Sequence, residues 1–338
     1  MRKTITAMIA LLALLGIALP SMAQQRLSRD CRVELRELCG TDRSAMRACL
    51  RENWRELSST CRAELRERMG NRGGGERRDA ASRENAPLAS LAYGDHARQA
   101  VDFYTGPVAA EAPPLVLFVH GGAWSFGERS HVQTKPSHFA GQGYAFASAG
   151  YRVLPDVSVE EQASDLAAAL SAIRADAPRL GFDPDRIVLM GHSAGAHLAA
   201  LVATDPAYAG EDMAAISGVV LLDGGGYDVP LRMSAASGPT LYAYRNAFSE
   251  DAAQQTRLSP VTHVGGPDAP QWLILHVDGR AETTQQARAL GDALQAAGAS
   301  VEVVPIAGTD HGGMNRNIGT PGDATTASID AFLSALFE

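Results

Sequence analysis

The segment Arg186-Ile-Val-Leu-Met190 is followed directly by Gly191-His-Ser-Ala-Gly195 and then by the alanine-rich run Ala196-His-Leu-Ala-Ala-Leu-Val-Ala203. The first segment is mostly apolar and of strand length, and the alanine-rich run favours a closely packed helix. Gly-x-Ser-x-Gly between a strand and a helix is typical of a sharp turn, because glycines remove side chains that would collide there. We therefore expect Ser193 to expose its hydroxyl above a sheet, at the positive end of a helix, as a nucleophile.

Short apolar segments alternate with helical patterns on both sides of this turn, from residue 87 to the end of the chain. The apolar segments of strand length are Gln99–Tyr104, Leu115–Val119, Tyr144–Ser148, Arg186–Met190, Val219–Leu222, Trp272–Val277 and Val301–Pro305. The helical patterns are Val159–Ala177, Ala194–Thr204, Thr283–Ala297 and a last one that ends near Phe337. Nearly continuous apolar strands separated by helices indicate a mostly parallel sheet that is covered on both faces. The sequence therefore predicts a doubly wound α/β domain over residues 87–338.

A glycine-rich loop follows the predicted strand Leu115–Val119 and reads His120-Gly-Gly-Ala-Trp124. Loops of this type use backbone N–H groups to bind the negative oxygen that develops in acyl transfer, and glycines let those groups approach closely. We interpret His120 as a structural residue that holds the loop. The oxyanion donors are expected among the N–H groups of Gly121, Gly122, Ala123 and Ala194.

A histidine follows the last predicted strand, in the sequence Asp310-His-Gly-Gly313. The carboxyl ends of parallel strands meet at one edge of a sheet, so this loop and the turn around Ser193 should lie close together. We predict that His311 is the general base. Six other histidines do not occupy the loop after the final strand: His131, His138, His192, His197, His263 and His276.

With these motifs the chain resembles the α/β-hydrolase superfamily. The resemblance is to exported carboxylesterases of the feruloyl-esterase-like, hormone-sensitive-lipase-like and kynurenine-formamidase-like group, and it spans Leu91 to Phe337. It includes Gly150-Tyr-Arg152 after the glycine-rich loop. The resemblance implies that Ser193 attacks an acyl carbon, that His311 relays the proton, and that an acid after the penultimate strand orients the histidine. The implied reaction is hydrolysis of a carboxylic ester through an acyl-enzyme.

The acid is the point at which the chain departs from the pattern of that superfamily. The usual His-Gly-x-x-Asp is absent, and Asp278-Gly-Arg-Ala-Glu282 follows the penultimate strand instead. Glu282 is the favoured acid because it stands where related sequences carry Arg-x-Asp before a helix. Asp278 is the second candidate, and Asp223, at the end of the strand Val219–Leu222, is the third.

The substrate and two other functions stay open at this point. An arylformamidase-type amide hydrolase and an exported, non-catalytic binding protein would both fit the same fold. Trp124 and Tyr227 are expected to line a pocket for an acyl or alcohol group, covered by the insertion between Asp223 and Gln271. No metal or organic cofactor is expected, since the chain lacks His-Glu-x-x-His, a P-loop and a dinucleotide-binding glycine motif.

Residues 1–23 have the pattern of a secretory signal peptide. Arg2 and Lys3 precede an apolar run, and Ser21-Met-Ala23 places small residues before a cleavage point. The apolar run has about 15 residues and is short of the roughly 20 that are needed to span a bilayer. We therefore expect export to the periplasm or the medium, with no membrane span left after cleavage.

All four cysteines follow this segment, within residues 26–69, where apolar positions recur at helical spacing. The pattern predicts a hairpin of two short helices, followed by a flexible linker over residues 70–86. In such a hairpin Cys39 and Cys49 face each other near the turn, and Cys31 and Cys61 meet at the open end. Oxidising export favours disulfides, and the lack of Cys-x-x-Cys argues against zinc. The spacing of seven residues between Cys31 and Cys39, Ala48-Cys-Leu50 and Leu57-Ser-x-x-Cys61 resemble a single copy of the cysteine-rich repeat of Golgi cysteine-rich glycoprotein. This resemblance implies an interaction module, with an envelope protein as a candidate partner.

Charge differs between the two parts of the chain. Residues 26–86 hold 15 arginines against 11 acidic residues, whereas residues 87–338 hold 13 basic against 27 acidic residues. An acidic main domain repels phosphate backbones, so nucleic acid is not an expected partner. The expected partner of the main domain is a small-molecule ester.

Overall fold

A computed structural model describes residues 27–39, 49, 53, 56–58, 60–62, 64–65, 86–104 and 111–337. The chain divides into two units, Met1–Ala80 and Ala81–Glu338. The predicted signal peptide, residues 1–23, lies outside the described residues, as does most of the predicted linker. No helix among the described residues is long and apolar enough to cross a membrane.

One sheet of eight strands forms the second unit, in the order β1-β2-β4-β3-β5-β6-β7-β8. Strands β3 to β8 are parallel to one another, whereas β2 pairs antiparallel with β4, and β1 pairs antiparallel with β2 at the edge. The predicted mostly parallel sheet is confirmed. The strands are β1 Ala89–Ala92, β2 Ala100–Tyr104, β3 Leu115–Val119, β4 Ala145–Ala149, β5 Ile187–His192, β6 Ile216–Leu222, β7 Gln271–Val277 and β8 Ser300–Ile306.

Strand β1 was not predicted. It has four residues, which alternate between half-buried and exposed, so it leaves only a weak apolar pattern. By contrast, all five residues of β2, β3 and β4 are buried. Long buried runs of this kind are what made the central strands readable from the sequence.

Helices cover both faces of the sheet. Side chains alternate along each strand, so Leu115 and Leu117 of β3 join one apolar core while Val116 and Phe118 join the other. The helices are α1 Arg29–Cys39, α2 Lys135–Gly141, α3 Val159–Ala175, α4 Ala177–Leu180, α5 Ala194–Thr204, α6 Pro206–Ala209, α7 Val229–Ala235, α8 Gly238–Phe248, α9 Ala252–Arg257, α10 Ala281–Ala296, α11 Gly313–Arg316 and α12 Ala324–Phe337. Two short 3₁₀ helices, Gly210–Ala215 and Pro260–Thr262, complete the described elements.

The insertion between β6 and β7 is helical. It contains α7, α8 and α9, and the sequence analysis predicted none of these helices. Asp228 caps α7 by accepting a hydrogen bond from the Leu231 N–H, and Asp251 caps α9 in the same way at Ala253. The insertion therefore has its own ordered helices directly after Asp223.

Two disulfides hold the described part of the first unit together. They join Cys31 to Cys61 and Cys39 to Cys49, with Cα separations of 4.9 and 5.6 Å, and this is the predicted pairing. Helix α1 packs Cys31 and Leu35 against Leu57, Cys61 and Leu65. The second predicted helix lies largely outside the described residues.

Candidate active site

Ser193 lies on the sharp turn between β5 and α5. Its φ of 56° and ψ of −119° are unusual for a residue with a side chain. The turn is possible because Gly191 and Gly195 pack directly on backbone. A Cβ at Gly195 would collide with the Val119 carbonyl, and one at Gly191 would collide with the Gly195 carbonyl. The two glycines of Gly-x-Ser-x-Gly are thus required by close approach, and the serine is presented at the first turn of α5.

His311 bridges Ser193 and Asp223. The Ser193 hydroxyl donates to Nε2 of His311 at 3.0 Å, and Nδ1–H of His311 donates to Oδ2 of Asp223 at 2.7 Å. Each residue stands just beyond the carboxyl end of a parallel strand: β5 for the serine, β6 for the aspartate and β8 for the histidine. The three side chains form the hydrogen-bonded chain of a catalytic triad.

Asp223 is held in its charged form. Burial raises the pKa of this carboxyl, but hydrogen bonds from His311 and the Val277 N–H and the positive charge of Arg280 outweigh burial and lower it to about 2. The Val277 N–H donates to Oδ1 at 3.0 Å, and the Arg280 guanidinium contacts Oδ2. Asp223 therefore offers His311 a fixed negative charge at neutral pH.

The prediction that Glu282 or Asp278 pairs with His311 is wrong in this structure. Asp278 is exposed after β7, and Glu282 is exposed in the first turn of α10. The position next to His311 is filled from β6, the strand beside β5, so the acid comes one strand earlier than the resemblance implies. A signal was present in the sequence, since Asp223 ends a buried strand and is followed by three glycines.

The glycine-rich loop after β3 lies against the serine. A Cβ at Gly121 would be 2.9 Å from Cβ of Ser193, so only glycine allows this approach. Gly122, Ala123 and Trp124 all have positive φ, and the Gly122 carbonyl accepts hydrogen bonds from two following N–H groups. The backbone of Gly121 thus lies against Ser193, and a tight turn follows it.

His120 anchors that loop in the way expected of a structural residue. Its Nδ1–H donates to the Gly121 carbonyl at 3.0 Å, its ring stacks on Tyr151 at 4.3 Å, and the Tyr151 hydroxyl donates to its carbonyl. Burial lowers the pKa of His120 to about 4, so the ring is neutral at pH 7. A neutral, stacked ring at this position supports the loop and is not placed to take a proton from Ser193.

The sequence did not reveal the part played by His192. Its Nε2–H donates to the backbone carbonyl of His311 at 2.8 Å, and the two rings are 4.7 Å apart. Burial, with smaller contributions from His311 and Lys135, lowers the pKa of His192 to about 3. The neutral ring of His192, the residue before Ser193, thus holds the loop that carries His311.

Comparison with known proteins agrees with this geometry. The family profile described as BD-FAE matches residues 101–216, which include the glycine-rich loop and Ser193. An esterase from the planctomycete Thermogutta terrifontis, solved with propionate bound, has a TM-score of 0.59 and 25% identity over 74% of this chain and 94% of that one. The chain has the α/β-hydrolase fold.

Curated relatives of this α/β-hydrolase are named as ester hydrolases. It is 27% identical over 239 residues to an isoprenylcysteine alpha-carbonyl methylesterase of Arabidopsis thaliana, covering 66% of this chain and 56% of that protein. It is 29% identical over 233 residues to a probable carboxylic ester hydrolase of Mycobacterium tuberculosis, covering 63% of this chain and 53% of that one. The chain thus spans about half the length of these relatives. They confirm the predicted resemblance to carboxylesterases, whereas the resemblance to a cysteine-rich repeat stays a prediction.

Trp124 and Tyr227 were predicted to line a pocket, but in this α/β-hydrolase they are core residues. They are only 3% and 1% exposed. The Trp124 ring packs edge-on against Tyr244 at 5.1 Å and Phe248 at 4.8 Å, and its N–H donates to His197. Mutual packing of the aromatic residues of the insertion therefore withdraws them from the surface. Tyr242 is the exception, at 69% exposed.

A groove of about 950 Å³ lies far from the triad in the fold. It is lined at the amino ends of β6 and β7 by Met213, Ile216, Pro270, Leu336 and Phe337. In open α/β sheets the reacting site lies at the carboxyl ends of the strands, so this groove is not assigned to the chemistry. Among the described residues, no group of three or more His, Cys, Asp or Glu side chains is placed to hold a metal ion.

Proposed function

We propose that this chain hydrolyses carboxylic esters through an acyl-enzyme, with Ser193 as nucleophile, His311 as base and Asp223 as the acid that orients the histidine. The hydrogen-bonded bridge of His311 between Ser193 and Asp223 is the observation that carries this proposal. Asp223 fixes the tautomer in which Nδ1 holds the proton, which leaves Nε2 free to accept the proton of the serine.

The reaction follows from these positions. Ser193 Oγ attacks the acyl carbon while its proton passes to Nε2 of His311, and the imidazolium is stabilised by charged Asp223. Backbone N–H groups from Gly121, Gly122, Ala123 and Ala194 are the proposed donors to the oxyanion. His311 then protonates the leaving alcohol. Water, deprotonated by His311, cleaves the acyl-enzyme to release the carboxylic acid and restore Ser193.

The comparisons support an ester as the substrate. Both curated relatives are named for ester hydrolysis, and the planctomycete esterase was solved with propionate, a short carboxylate, bound. The backbone turn at Ser193 and the closely packed Gly121 match the elements that acyl transfer requires. We therefore propose a small acyl or aryl ester, in preference to an aryl formamide.

A panel of p-nitrophenyl esters of increasing acyl length, with N-formylkynurenine as an amide, tests this proposal. We expect hydrolysis of short esters, and a loss of several orders of magnitude in Ser193→Ala and His311→Ala. The double variant should be no worse than either single one, since the two residues act as a unit. Ser137→Ala, at an exposed serine on α2, is the matched control and should keep full activity.

Three results would contradict the proposal. An active Ser193→Ala enzyme would remove the serine from the mechanism. Faster turnover of the formamide than of any ester would indicate that the chain is an amide hydrolase. A well-folded wild-type protein that hydrolyses nothing in the panel would favour the non-catalytic binding protein.

We further propose that residues 1–23 direct export and that the cysteine-rich unit binds an envelope protein. The two disulfides support this, because they form and persist in oxidising compartments. Expression in a bacterium with a periplasm, followed by fractionation and mass measurement, tests export. A periplasmic chain that begins at Gln24 is the expected result, and an uncleaved chain in the cytosol would contradict it.

A further inference from the structure

Arg232 is a buried cation with no charged partner. It lies on α7 in the insertion, is 9% exposed, and its Nη1 has no hydrogen-bond partner. None of the ion pairs in the described part of the chain includes it. Asp228, one turn earlier, uses Oδ1 to cap the Leu231 N–H. A buried guanidinium is normally paired with a carboxylate, so the missing partner requires an explanation.

The arginine faces the loop that follows Asp223. A Cβ placed on Gly225 would be 2.8 Å from the Tyr244 hydroxyl and 4.0 Å from Nε of Arg232, with no other described atom beyond its chain neighbours within 4 Å. Gly225 itself is partly exposed and stands two residues after Asp223. Glycine at this position therefore allows the Tyr244 hydroxyl and the Arg232 guanidinium to lie against the loop that follows Asp223.

Tyr244 connects Arg232, whose side chain forms a hydrogen bond with the Tyr244 hydroxyl, to the glycine-rich loop. Its ring is 5.3 Å from the Arg232 guanidinium on one side and 5.1 Å from the Trp124 ring on the other. Trp124 directly follows Ala123, one of the proposed oxyanion donors. The pair Arg232 and Tyr244 thus contacts both loops that surround the reacting serine and histidine.

A second arginine adds positive charge at the same end of the site. Arg280 contacts Asp223, and its side chain is 39% exposed. Burial raises the pKa of the Tyr244 hydroxyl to about 12, and the positive charges of Arg232 and Arg280 both oppose that rise. Two guanidinium groups therefore act on this hydroxyl, whereas Asp223 is the one carboxylate that pairs with either of them in the described chain.

We propose that Arg232, with the Tyr244 hydroxyl, binds a carboxylate carried by the ester substrate, so that the enzyme prefers esters bearing a second, ionised carboxyl group. This inference rests on the proposed ester hydrolysis and names the substrate class of that same site. The carboxylate stays intact in the reaction, in which water and the ester give an alcohol and an acid. It supplies the missing partner of the buried guanidinium and a planar, bidentate contact that arginine favours.

Two pairs of probe substrates test the preference and show which half of the ester carries the charge. The acyl pair is mono-p-nitrophenyl glutarate and its neutral methyl ester, p-nitrophenyl methyl glutarate. The alcohol pair is 4-butyryloxybenzoate and its neutral methyl ester. Within each pair the charged-to-neutral ratio of kcat/KM is measured on one protein preparation, so a partly unfolded variant does not distort it.

We expect the wild-type enzyme to prefer the charged member of one pair by about 10- to 100-fold, the range of a hydrogen-bonded charge contact. Arg232→Met should abolish the preference while keeping turnover of the neutral ester, and Arg232→Lys should restore part of it. Arg245→Met is the matched control, because Arg245 lies on neighbouring α8, is half-exposed and pairs with Glu250. This variant should keep the wild-type ratio.

The outcomes separate this inference from the proposed function. If the wild-type enzyme hydrolyses the neutral members as fast as the charged ones, the carboxylate proposal fails and ester hydrolysis stands. An Arg232→Met variant that loses turnover of all four probes equally would assign the arginine a structural role and overturn the inference. If the wild-type protein hydrolyses none of the probes, both proposals fail.

Discussion

Asp223 gives His311 a buried negative partner whose charge is fixed by its other contacts. The Val277 N–H and Arg280 bind the same carboxylate, so it remains ionised even in the absence of substrate. His192 holds the backbone of His311 by a hydrogen bond to its carbonyl. The orientation of the base thus depends on two residues that flank it, one charged and one neutral.

Replacing the acid should reveal its identity. Asp223→Asn removes the charge that stabilises the imidazolium, and we expect kcat on a short p-nitrophenyl ester to fall by about 10²- to 10⁴-fold. Glu282→Gln and Asp278→Asn are matched controls, because both side chains are exposed, and each should stay within about twofold of wild type, the scale of a minor surface change. Full activity in Asp223→Asn would show that Asp223 is not the acid of the triad. A collapse of kcat in either control variant would assign the role of the acid to the residue changed in that variant.

At the scale of elements, helix α11 after His311 is tethered to α2 by a buried lysine. Lys135 is fully buried, donates to the Asn315 carbonyl at 2.8 Å and to Gln133, and lies over the Phe118 ring. Burial lowers the pKa of Lys135 from 10.5 to about 7. The connection between the two helices therefore includes a group that titrates near neutral pH.

This lysine should leave a signature in the pH dependence of stability. Between pH 7 and pH 10.5 the unfolded chain binds the proton of Lys135 more tightly than the folded chain does, so the free energy of unfolding should rise with pH, by up to about 1.4 kcal/mol per pH unit. Lys135→Met should lack this contribution. The measurement is urea unfolding of both proteins at pH 7, 8 and 9. Parallel curves for the two proteins would show that Lys135 keeps its ordinary pKa.

The disulfide-bonded unit should be separable from catalysis. Each disulfide typically stabilises by about 2 to 4 kcal/mol, and the unit Ala81–Glu338 contains no cysteine. Reduction with dithiothreitol should unfold the first unit, measured by its susceptibility to protease, and leave ester hydrolysis intact. A Cys31→Ser, Cys61→Ser variant serves as a control for side effects of the reductant. Loss of activity at the rate at which thiols appear would contradict this independence.

For the whole molecule, short sequence motifs predicted the features that depend on residues close together in the chain. The strand, turn and helix around Ser193, the glycine-rich loop and His311 were readable, because each is a short motif beside a buried apolar strand. The acid was misassigned, because the choice among Asp223, Asp278 and Glu282 depends on how far each lies from His311 across strands. The spacing of these residues along the chain does not determine how far each carboxylate lies from His311 in the fold.

Burial was the other property that the sequence did not reveal. Trp124 and Tyr227 are of residue types that often line pockets, yet both are buried. The Trp124 ring packs against aromatic side chains of the insertion and is thereby removed from the surface. Arg232, for which the sequence analysis predicted no role, is buried in the same insertion and lies over the Tyr244 ring. Contacts between the insertion and the loops of the sheet decide these roles, and they arise only in the folded chain.

Labelling with a fluorophosphonate probe tests the central claim most directly. The hydroxyl of an activated serine displaces fluoride from phosphorus, so intact-protein mass should show one adduct per chain, formed in parallel with the loss of ester hydrolysis. Peptide mapping should place the adduct on Ser193, and Ser193→Ala should remain unlabelled. Two results would contradict the account. One is ester hydrolysis that continues, with no adduct, after prolonged treatment with the probe, and the other is an adduct on a serine other than Ser193.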